Sequence, residues 1–121
     1  MLTSTEVQVS EQLARFARQM RVGEAVEVLP RIVQLTKEQP TAPVLQLLGE
    51  CYLKLARPLE AVVPLAAATG LTDSAEPATL LATTLMQVGR SKEALLIAQR
   101  VLRRDSRNRE ALRIMQQTPR A

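Results

Sequence analysis

Residues that usually carry chemistry are scarce in this chain. Histidine and tryptophan are absent, and cysteine, tyrosine and phenylalanine occur once each, as Cys51, Tyr52 and Phe16. A serine or cysteine nucleophile needs a base beside it, and near neutral pH that base is usually histidine. The four glycines make no phosphate-cradling loop, and no serine sits in a nucleophile elbow. Glu24 with Glu27 reads as solvated helix surface rather than an acid–base pair. Cys51, beside Tyr52 on an apolar face and with no second cysteine to join, reads as a small core residue. Composition therefore argues against an enzyme and calls for no metal or other cofactor.

Charge is the other resource, and it is unevenly spread. Residues 100–121 hold seven arginines against Asp105 and Glu110, a net of +5, whereas residues 1–99 hold nine basic and ten acidic side chains, a net of −1. Arg100, Arg103, Arg104, Arg107, Arg109 and Arg113 form a candidate basic surface for an acidic protein, nucleic acid or lipid headgroups. The plainer reading is that they coat the outside of the last helices, where the dipole favours them. Nucleic acid is disfavoured, because no aromatic platforms interleave with these arginines.

The elements that must position any site are helices. At 121 residues, 46% apolar and 23% charged, with a mean hydropathy of −0.02, the chain is the size of one ordinary globular domain. No stretch approaches the ~20 apolar residues of a membrane span. The residues from Met1 to Glu6 lack the basic and apolar runs of a secretory signal, so a cytoplasmic protein without membrane insertion is expected. Apolar residues recur at spacings of three and four, as in Leu13, Phe16, Ala17, Met20 and in Ala94, Leu95, Ala98, Val101, Leu102. Punctuation cuts this pattern into seven helices, about 4–21, 24–37, 42–55, 58–69, 74–88, 92–104 and 107–117. Thr3 with Glu6 and Asp73 with Glu76 have capping-box spacing, Thr41 and Ser91 read as N-caps, and Gly23, Gly70 and Gly89 as helix ends or turns. Pro30 and Pro64 fall inside the second and fourth helices, where a kink is expected.

Laid against itself, the chain repeats. Phe16 and Ala25, Tyr52 and Ala61, Leu85 and Ala94 are each nine residues apart, and Glu24, Glu60 and Glu93 precede the three alanines. A period in the thirties, two helices long with a small residue at the crossing, is the mark of an α-solenoid. The residues Leu45, Leu48-Gly49, Tyr52, Ala61, Leu65 and Ala68, and later Leu81-Ala82, Leu85, Gly89, Ala94, Ala98 and Val101, resemble the tetratricopeptide repeat (TPR) family. The stretch from Gly89 to Ala94 is the most specific. The resemblance covers about residues 6–108. It implies one all-α superhelical domain, with repeats near 6–40, 41–73 and 74–106 and a cap helix over 107–117.

The resemblance also implies a place for a ligand, since the first helices of TPR pairs line a concave groove. Mapped onto this sequence, that groove holds Ser10, Ala14, Ala17 and Arg18, then Gln46, Glu50, Leu53 and Lys54, then Thr79, Thr83, Met86 and Gln87. TPR grooves that grip a peptide carboxylate use Lys, Arg and Asn, and only Arg18 and Lys54 are of those kinds. The row Ala17, Leu53, Met86 better suits an apolar helical or extended segment of a partner protein. The alternative for Leu53 and Met86 is packing between repeats. The implied function is a non-catalytic adaptor. Two alternatives stand beside it: a small chaperone of a partner subunit, similar in size and build to those of type III secretion, and a scaffold self-associating through its basic C-terminal end.

Overall fold

The computed structural model describes residues 3–117, which form seven helices and, among those residues, no strand. They are α1 (Ser4–Arg21), α2 (Ala25–Glu38), α3 (Ala42–Lys54), α4 (Pro58–Leu71), α5 (Ala75–Gln87), α6 (Ser91–Arg104) and α7 (Arg109–Gln117). Each helix packs on the next, and α1 also meets α3, as α5 meets α7. The all-α class and the helix positions match the sequence reading to within two residues.

The backbone repeats with a period of 33. Gly23, Ala56 and Gly89 all take positive φ, at +91°, +58° and +81°. The amide that follows each of these residues bonds identically: Glu24 to the Gln19 carbonyl, Arg57 to Tyr52, and Arg90 to Leu85. In this register the residues matching Ala61 and Ala94 are not Ala25 but Val28, and the matching acids are Glu27, Glu60 and Glu93. The 36-residue first interval is therefore corrected to 33. The mismatch goes unnoticed in sequence because Ala25 and Val28 both lie on the buried face of α2, one turn apart.

Helix ends follow local chemistry. Thr3 and Glu6 close the expected capping box, each side chain accepting the other's amide at 3.1 Å. At α5 the cap is Ser74, whose hydroxyl accepts from the Glu76 amide, while Asp73 instead pairs with Arg104 at 2.9 Å. Ser91 is the first residue of α6 rather than its cap, and Thr41 occupies the cap position of α3 without a side-chain bond. Gly70 lies inside α4, not at a turn. Neither Pro30 nor Pro64 ends its helix.

Side-chain size at the crossing sets how closely each pair packs. Gly49 faces Leu65 in the second pair; the 33-residue register puts Phe16 and Ile32 at these positions in the first pair and Ala82 and Ala98 in the third. A Cβ on Gly49 would lie 2.5 Å from Leu65 Cγ, so α3 and α4 touch through a missing side chain. The core divides in two around α3. Phe16, Met20, Val28, Ile32, Val44, Leu47 and Cys51 belong to one cluster; Ala61, Leu65, Leu81, Leu85, Ala98 and Ile114 belong to the other; Tyr52 packs against both.

Candidate functional site

Two adjoining concavities run along the α1–α3 face. One, of about 440 Å³, is lined by Leu13, Ala14 and Ala17 of α1, by Ala42, Pro43, Gln46, Leu47 and Glu50 of α3, and by Thr72, Ser74, Glu76 and Pro77 where α5 begins. The second, of about 460 Å³, is lined by Ala17, Met20, Arg21, Glu50, Leu53 and Lys54. Ala17 and Glu50 line both, so the two adjoin along this face and are together called the trough. Ala14 and Ala17 are the small residues of the α1 wall, and Met20 and Leu47 are the trough's buried apolar lining.

The trough has an apolar floor and charged ends. Arg21 and Lys54, one period apart, stand at one end, and neither joins an ion pair among the described residues. Glu76 stands at the other end. Between them Gln46 Nε2 donates to Glu50 Oε1 at 2.8 Å, which fixes that carboxylate along the α3 wall. A groove so built can take an apolar strip along its length and orient it by charge.

Of the residues that sequence reasoning placed in a groove, Ala17, Gln46, Glu50, Leu53 and Lys54 line this one, with Ala14. Arg18 does not: it is exposed beside the trough, and Arg21, one turn on, takes the place expected of it. The third pair contributes differently from expectation. Thr79 is buried, its hydroxyl donating to the Glu76 carbonyl, and Thr83 donates to the Thr79 carbonyl at 2.9 Å. Met86 and Leu53 both pack against the second core cluster, so Leu53 serves wall and core at once. Thr83, Met86, Gln87 and the exposed Ser10 line neither concavity. Leu13, Met20, Arg21, Leu47, Glu76 and Pro77 are among the lining residues that sequence reasoning missed, and the 33-residue register, which aligns Met20 with Leu53 and Met86 and Arg21 with Lys54 and Gln87, is the signal that finds Met20 and Arg21.

The basic residues Arg100, Arg103, Arg104, Arg107, Arg109 and Arg113 are all exposed, on α6, α7 and the turn between them. They are partly neutralised: Arg104 pairs with Asp73, and Arg113 lies 3.7 Å from Glu110. Arg120 lies outside the described residues. Arg100 and Arg104 flank a cavity of about 540 Å³ that Asp73 and Asp105 also line, so its walls are balanced in charge.

Cys51 is fully buried and donates to the Ala25 carbonyl at 3.5 Å. Burial pushes its thiol pKa up, and the nearby Arg57 opposes that only in part. Arg57 also lies 5.3 Å from the centre of the Tyr52 ring and forks onto Glu60, an arrangement matched by Arg90 and Glu93 one period later. Each fork ties the residue at the N-cap position of α4 or α6 to a glutamate in the first turn of that helix, with no side-chain bond to the helix backbone. Among the described residues no helix is long and apolar enough to cross a membrane. No protein-family model matches the chain, and no curated protein is similar to it in sequence.

Proposed function

We propose that this chain is a non-catalytic, TPR-like interaction module that holds an apolar, helical segment of a partner protein in the α1–α3 trough. One observation carries the reading: Leu13, Ala14, Ala17, Met20, Leu47 and Leu53 line two adjoining concavities whose outer ends carry opposite charge. A helix presenting apolar residues at i, i+3 or i+4 and i+7 lays such a strip into a groove of this kind. Its C-terminal end belongs beside Arg21 and Lys54 and its N-terminal end beside Glu76, because the helix dipole then meets opposite charge at both ends. Met20 and Leu53 supply an adaptable surface at the basic end.

The test works whatever the natural partner is. A library of displayed helical peptides is selected on the wild-type chain and counter-selected on Ala14→Arg/Gln46→Arg, which fills the trough from both walls. Enrichment of amphipathic peptides that bind the wild type and not the filled variant supports the reading. Peptides that bind both equally, or none at all, refute it.

A further inference from the structure

The outer face of α4 is built unlike that of its neighbours. Its inner face, Ala61, Pro64, Leu65 and Ala68, is buried as a helix stripe should be. Its opposite face, Leu59, Val63, Ala66, Ala67 and Gly70, falls at spacings of three and four and is also apolar, with Leu59 69% and Val63 74% exposed. No charged residue occurs from Ala61 through Thr72. The apolar band continues onto both flanking outer helices: Val26 of α2 holds the position of Leu59 one period earlier, and Leu96 of α6 that of Val63 one period later, both about two-thirds exposed. A helix apolar on all sides is normally covered on all sides.

We infer that a second copy of this chain covers this face, the two copies packing α4 on α4 about a two-fold axis parallel to those helices. Three observations fit that occupant. First, Ala66, Ala67 and Gly70 present a smooth surface that lets two identical helices approach closely. Second, Val26, Leu59, Val63, Leu71 and Leu96 are 59–74% exposed. With the alanines among them they offer on the order of 400–500 Å² of apolar surface. That is the apolar share of an interface burying about 800 Å² per partner. Third, the flanks differ in charge. The stretch from Glu24 to Glu38 has three acidic and two basic residues, whereas that from Arg90 to Arg104 has five basic and one acidic. An axis parallel to α4 sets α2 of each copy against α6 of the other and pairs opposite signs. An axis across α4 would set α6 against α6 and oppose like charges. Glu27 and Lys92, each in the first turn of its helix, then face one another across the dimer.

Sedimentation of the full chain from about 1 µM to about 200 µM tests the inference. The wild type is expected to pass from monomer to dimer within that range. Val63→Glu is expected to stay monomeric with unchanged helical circular dichroism. Leu59→Gln is expected to raise the dissociation constant by about tenfold or more, since symmetry places each substitution in the interface twice. Glu27→Lys should weaken the dimer, and Glu27→Lys/Lys92→Glu should restore it. A wild type monomeric throughout, or a dimer that survives Val63→Glu, overturns the inference. A dimer lost in Val63→Glu but indifferent to the charge variants overturns the parallel arrangement.

Discussion

Gly49→Ala tests the account of how the second pair packs, because two opposed effects must be weighed. In an open helix interior, replacing glycine by alanine stabilises by about 0.5–1 kcal/mol through backbone entropy. At Gly49 the new Cβ would lie 2.5 Å from Leu65 Cγ, 2.6 Å from Cδ2 and 3.3 Å from Cδ1. Leu65 is fully buried, and the atom struck is its branch point, so the side chain cannot swing aside. Overpacking of this kind costs about 1–3 kcal/mol, which exceeds the propensity gain. Gly49→Ala is therefore expected to lower stability by about 1–2 kcal/mol net. Gly70→Ala, in the exposed last turn of α4 with nothing of its own chain within 4 Å of the new Cβ, is the control when the chain is dilute enough to be monomeric, and should then be neutral to slightly stabilising. Leu65→Ala alone should cost about 2–5 kcal/mol. Adding Gly49→Ala to it should then cost nothing or help, because the double variant reproduces the fully buried Ala82 and Ala98 found one period later. Urea unfolding followed by helical circular dichroism reads all four. A Gly49→Ala chain as stable as Gly70→Ala, or penalties that simply add in the double variant, would refute the close approach of α3 and α4.

Three further outcomes are expected. Ala56 takes a φ of +58° where the equivalent turns use glycine, so Ala56→Gly should stabilise by about 0.5–1 kcal/mol, read as a higher melting temperature. Glu93 accepts two bonds from Arg90, and those hydrogen bonds hold its carboxyl pKa below the ordinary 4.5. A depressed native pKa means that the stabilisation is present above the unfolded value and lost as pH falls through the native one. The melting difference between wild type and Arg90→Gln should accordingly be visible at pH 7 and fade below pH 4.5, and a difference that grows in acid would contradict the pairing. Cys51, fully buried with a raised thiol pKa, should react with a thiol reagent only at the rate of unfolding, and rapid native labelling would show that the α2–α3 packing is wrong.

Much of the fold was legible because helical periodicity and short punctuation leave few choices for a chain of this composition. The shifted register of the first repeat has one physical cause. A helix face recurs every three to four residues, so a slip of three keeps apolar residues on the same face and leaves the pattern looking sound. Val28 fills the crossing position where the other pairs have alanine, and the eye moves three residues back to Ala25. The same slip of three put Arg18 where Arg21 stands and aligned Ala17, rather than Met20, with Leu53 and Met86. The turn at Ala56 carried no glycine to announce it, so the anchor that fixes the register was invisible. Thr79, Thr83, Met86 and Gln87 of the third pair line neither concavity for another reason. The trough is closed on that side by the start of α5, at Ser74, Glu76 and Pro77, and no periodicity within a helix predicts which helix end abuts a groove.

The most direct test of the trough as the binding site is a nitrogen-15 chemical-shift titration of the wild-type chain with a peptide selected as above. Saturable shifts confined to Ala14, Ala17, Arg21, Gln46, Glu50, Leu53 and Lys54 are predicted. Shifts centred instead on Arg100–Arg113, with the α1–α3 face silent, would contradict the account and move the site to the basic end of the stack.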